Sequence, residues 1–142
     1  MFGIIRENIA DLRADSLITE KSRTALTLQA PEEFYPRMLG HLIRHVAEQK
    51  REELAAMKEL IVITDTIPIN KKRAAVEKGV KTVLKKMLPP GCRFRVLHHA
   101  SMSNMGLQLA DYCNWAIFRK WESGDRLFYD ALRDGIKSEL EI

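Results

Sequence analysis

Apolar residues along this chain follow two rhythms, one with helical spacing and one continuous or alternating, and the two take turns from end to end. Ile4, Ile5, Ile9 and Leu12 recur at helical spacing, which predicts an opening helix through about residue 14. Ser16-Leu17-Ile18-Thr19-Glu20 then reads as a short strand. Phe34, Met38, Leu39, Leu42, Ile43 and Val46 form one helical stripe, with Pro31 and Pro36 tolerable only near its start. Leu60-Ile61-Val62-Ile63-Thr64 is a continuous apolar run ending at Asp65, the pattern of a strand buried on both faces of a parallel sheet.

Asn70 stands where a cap would open another helix, with Val76, Val80, Val83, Leu84 and Met87 inward and Lys71, Lys78, Lys81 and Lys85 outward. Pro89-Pro90-Gly91 ends it. Arg93 to Leu97 alternates as a strand, a polar loop runs from His98 to Asn104, a helix extends to about Glu122, and Ser123-Gly124-Asp125 restarts a terminal helix. Strands separated by helices predict an α/β fold, a mostly parallel sheet flanked by helices. No repeat or linker divides the chain, so residues 1–142 are expected to form a single domain with one core.

Composition narrows the classes. No apolar run approaches the length needed to cross a bilayer, and charge arrives at Arg6, too early for a secretory signal. Cys92 and Cys113 lie far apart without metal-ligand spacing and read as reduced thiols. The expectation is a soluble cytoplasmic protein with no membrane partner.

The net charge of +4 is unevenly distributed. Residues 1–70 and 96–142 each have a balance of −2, whereas residues 71–95 hold nine basic residues against Glu77 alone, a balance of +8. Such a segment reads either as an anion-facing surface or as a solvated helix face. Lys71, Lys72 and Arg73 sharpen the question, because cations in a first helical turn oppose the helix dipole unless an anion binds there.

Asp65 ends the strongest strand, where ligands of open α/β sheets collect, although a turn aspartate capping Thr66-Ile67-Pro68 has the same signature. Asp111 is the only charged residue between Met105 and Phe118, on a helix apolar nearly all round. Burial there would require a cation partner, a metal or a proton. Gln108 shares its face three residues earlier. Glu20 would share a sheet edge with Asp65 if their strands were parallel neighbours. Of His98 and His99, which point to opposite faces of a strand, His98 is the candidate proton shuttle. His41 and His45 read as surface or interface residues.

Three stretches together resemble the domain-of-unknown-function 3800 family, a prokaryotic group with a ribonuclease H-like fold: Ile61 to Asp65, the lysine-rich helix from Lys71, and Ser101 to Ala116 with its Leu-Gln-Leu-Ala-Asp helix. The resemblance implies a nuclease whose strand-end and helix aspartates hold divalent metal, Mg²⁺ or Mn²⁺, at positions matching Asp65 and Asp111. Glu20-Lys21 falls where the family often has an acidic residue followed by lysine. The family's opening strand with Asp-Glu-Ser and its antiparallel neighbour have no counterpart here, so the N-terminal strands are expected to be missing.

The leading expectation is therefore a metal-dependent phosphodiester hydrolase, inactive as a truncated chain. Asp65, Asp111 and Glu20 would be ligands, Gln108 and Ser103 orienting residues, and His98 a catalytic candidate. Lys71, Lys72, Arg73, Lys78 and Lys81 would bind DNA or RNA. The alternatives are a non-catalytic nucleic-acid-binding or interaction module, and a homo-oligomer or subunit completed by another chain.

Overall fold

The computed structural model describes residues 5, 7–20, 31–67 and 69–142; Ile4, Lys21 and Pro68, used in the sequence reading, lie outside them. A 3-10 turn at Ile9–Asp11 precedes β1 (Ala14–Ile18), α1 (Pro31–Gln49), α2 (Arg51–Ala56), β2 (Glu59–Asp65), α3 (Asn70–Met87) and β3 (Arg93–His99). A second 3-10 turn, Ser101–Ser103, leads into α4 (Met105–Ser123), α5 (Leu127–Leu132), a third turn at Arg133–Gly135 and β4 (Ile136–Glu141). The architecture is α/β. Among the described residues the strands form two two-stranded sheets, β1 with β4 and β2 with β3, in place of one mostly parallel sheet. No helix among them is long and apolar enough to cross a membrane.

Contacts divide the chain into two compact units, Leu17–His99 with Leu140–Ile142, and Met1–Ser16 with Ala100–Glu139. The single core expected from length resolves into one cluster in each.

In the first unit β2 and β3 run parallel, in register from Glu59 opposite Arg93 to Asp65 opposite His99. The connecting helix α3 covers one face. Val76, Val80 and Leu84 are buried there against Leu60, Val62, Phe94 and Val96 from the strands and Leu39 and Ile43 from α1. Full burial of each such side chain contributes about 1.5–3 kcal/mol before entropy is counted. The predicted inner stripes of α1 and α3 thus share one core. The strand reading needs correction: Ile61 and Ile63 are 44% and 39% exposed, so β2 is covered on one face only. A β-branched run signals strand without telling how many faces are covered.

Two glycines set how closely α1 and α3 approach. A Cβ on Gly79 would lie 3.3 Å from Cβ of Pro36, and one on Gly40 would lie 3.3 Å from Cγ2 of Val83. Pro36 is tolerated one turn into α1, near its start as expected. Asn70 is the first helical residue of α3, not its cap; Ile69 holds that position and offers no side-chain acceptor. Gly91, at φ +91°, turns the chain after Pro89-Pro90 into β3.

In the second unit Asn104 caps α4 by accepting from the backbone N–H of Leu107 at 3.0 Å, and Gly124, left-handed at φ 72°, ends it. Ile5, Cys113, Ala116 and Leu132 are buried together, with Leu109, Tyr112, Phe128 and Ile136 packed around them. The expected terminal helix shrinks to the six residues of α5, and the chain continues into β4, which the sequence reading did not foresee. The first predicted strand is shifted two residues toward the N-terminus, leaving Glu20 beyond its end.

Candidate nucleic-acid interface

The amphipathicity of α3 creates its outer face. Because Val76, Val80 and Leu84 must face the strands, Lys71, Lys78 and Lys85, seven residues apart, align on the exposed side at intervals of about 10.5 Å. Only two of the nine cations in residues 71–95 have a carboxylate partner among the described residues. Lys81 donates to Glu77 at 2.7 Å, and Arg95 donates to Glu59 across the β2–β3 pair at 2.8 Å. The hydrogen bond and charge of Lys81 hold Glu77 below its ordinary carboxylate range. Lys71, Lys72, Arg73, Lys78, Lys85, Lys86 and Arg93 have no such neighbour.

At the helix start the conflict expected from sequence persists. The first turn has no acidic residue and no side-chain cap, and Arg73 turns back to donate to the Asn70 side chain at 2.5 Å. Beside α3 a groove of about 580 Å³ opens against α1, with Arg37, His41 and Arg44 on one wall and Lys78 on the other. Sequence reasoning missed Arg37 and Arg44, and read His41 as a surface or interface residue. Their signal was present in the spacing i, i+4, i+7 on the polar side of a predicted helix, but a cationic stripe there is also what ordinary solvation produces.

The carboxyl ends of β2 and β3 bring Thr64, Asp65, His98 and His99 together. Asp65 is exposed and accepts from the backbone N–H of Thr66 at 2.8 Å. His98 turns toward α3, its Nδ1 2.6 Å from the Thr64 hydroxyl and its Nε2 3.8 Å from Glu77, while His99 points to the open face. That separation of the two histidines is the one predicted from strand geometry. Nε2 is buried without a hydrogen-bond partner among the described residues, so His98 is fixed by packing and Thr64.

The other candidates are placed differently. Asp111 is exposed, which corrects the expectation of a buried carboxylate and removes the desolvation argument for a counter-cation or metal. That expectation arose because α4 also exposes Met105, Trp115, Phe118 and Trp121, making an amphipathic helix look apolar all round. Trp115 and Trp121 are 40% and 44% exposed. Gln108 donates to the carbonyl of Met102 at 3.2 Å and Ser103 to that of Ala100 at 3.0 Å; both bonds brace the turn before α4. Glu20 follows β1, which pairs with β4 and not with β2, so no shared sheet edge joins it to Asp65.

A divalent metal would need several oxygen donors converging on one point. No group of three His, Cys, Asp or Glu side chains among the described residues is arranged to hold an ion. Comparison with protein-family models, curated proteins and solved structures gave no match.

Proposed function

We propose that this chain is a nucleic-acid-binding module whose α3 face neutralises a phosphate backbone. The observation that carries the reading is the set of seven cations between Lys71 and Arg93 without a carboxylate partner among the described residues. Unpaired like charges along one helix repel one another, and phosphates relieve that repulsion while releasing condensed counterions. A metal-dependent hydrolase would need gathered carboxylates, and no group of three stands among the described residues, so binding without turnover is the function favoured here.

The test is fluorescence anisotropy of labelled DNA and RNA oligonucleotides with the full chain, with and without EDTA. Binding that weakens as salt rises and is indifferent to EDTA is expected. Failure to bind either polymer at low salt contradicts the reading, and metal-dependent cleavage would restore the hydrolase.

A further inference from the structure

We infer that the groove between α1 and α3 takes one strand of a nucleic acid, lengthwise, in preference to a duplex. The inference rests on the nucleic-acid reading above and specifies both the place and the form of the ligand. Arg37 and Arg44, about 10.5 Å apart along α1, stand across the groove from Lys78, so cations from two elements face one channel. His41 adds a ring N–H between the arginines. None of these side chains has a carboxylate partner among the described residues. Among the described residues Glu33 is the one acidic residue lining the groove, and although it lies one turn before Arg37, no ion pair joins them.

The floor explains why a chain would lie here. Gly40, Gly79, Pro36 and Val83 raise no long side chain into the channel, and the glycines let the helices approach closely. The groove holds about 580 Å³, room for the backbone of one extended strand, whereas a double helix would bridge its rims without reaching the floor. Among the described residues no Phe, Tyr or Trp lines the groove, so the contacts are with phosphate, not stacked bases, and recognition should be indifferent to sequence.

Anisotropy with a labelled single strand and a duplex of equal length tests this, using the full chain, an Arg37→Gln/Arg44→Gln variant and a Thr82→Met variant. Thr82 is exposed on the α3 wall, so Thr82→Met narrows the channel at unchanged charge without adding a ring on which bases could stack. Wild type should bind the single strand more tightly than the duplex. The arginine variant should lose about tenfold in single-strand affinity and about 1.4 from the salt slope, two phosphate contacts at about 0.7 each. Thr82→Met should weaken the single strand while sparing the duplex. Equal wild-type affinities, undiminished single-strand binding by Thr82→Met, or displacement by polyglutamate as effective as by unlabelled DNA would overturn the groove assignment while leaving nucleic-acid binding intact. Absence of all binding would overturn both.

Discussion

The outer surfaces of α3 and of α4 with α5 treat positive charge in opposite ways. On α4 and at the start of α5 the basic side chains are matched within their own unit: Arg119 to Asp125 at 2.7 Å, Lys120 to Glu139 at 2.9 Å and Arg126 to Asp130 at 3.3 Å. Lys120 also lies 4.0 Å from the centre of the Tyr129 ring. Its burial would lower the amine, but bonds to Glu139 and Tyr129 outweigh that and raise it. On α3, Lys71, Lys78 and Lys85 face solvent without a carboxylate among the described residues. The two helices have comparable apolar interiors, so the contrast lies in the counter-charge: supplied within the unit for α4, and proposed to come from a ligand for α3.

The largest expected effects test whether the interiors are indeed comparable. Leu84→Ala and Leu132→Ala each empty a fully buried position, one in each unit, and each should cost about 2–5 kcal/mol in urea unfolding. A cost below about 1 kcal/mol in either would mean that its unit has no packed core and that the comparison compares unlike things.

Next in size is the internal counter-charge. Glu139 accepts from Lys120 and from the Trp121 indole, and Glu139→Gln should destabilise the chain by about 1–3 kcal/mol without altering oligonucleotide binding. The converse result, intact stability with lost binding, would show that the α4 pairs serve a ligand as well.

The pH dependence of melting sharpens the contrast. Burial would raise Glu139, but Lys120, Tyr129 and Trp121 together hold it below its ordinary value. A carboxylate lowered in the folded state contributes stability that is present above its unfolded value, about 4.3, and lost as pH falls through the folded one. Lys120 is raised, so its contribution is lost at the alkaline end, as pH climbs through the folded value. Melting scans should show both losses in wild type, with the acid loss diminished in Glu139→Gln.

The smallest effect is on stability itself. Lys71→Gln/Lys78→Gln/Lys85→Gln should shift unfolding by about 0.5 kcal/mol or less, because these side chains lie off the buried stripe. A large loss would mean that the lysines hold the fold.

How much of this was legible in the sequence depends on the period of each segment. The stripe Val76, Val80, Leu84 and the concentration of cations beside it repeat every turn, and both were legible. β4 was not, because Ile136-Lys137-Ser138-Glu139-Leu140 is short and follows a helical stretch that masks its alternation. Asp111 was misread because exposed Trp115 and Phe118 flank it on the outer face of α4, and hydropathy alone does not separate an exposed apolar side from a buried one. The α1 wall of the groove needed the tertiary structure: only the packing of α1 on α3 shows Arg37 and Arg44 facing Lys78.

The most direct test of the central claim, that α3 receives its counter-charge from a nucleic acid, is the salt dependence of binding measured on wild type and on Lys71→Gln/Lys78→Gln/Lys85→Gln. Each lysine that neutralises a phosphate contributes about 0.7 to the slope of log K against log salt on a single strand, so the triple variant should be flatter by about 2 with its melting temperature unchanged. An identical slope in the two proteins would contradict the account and make α3 a solvated face.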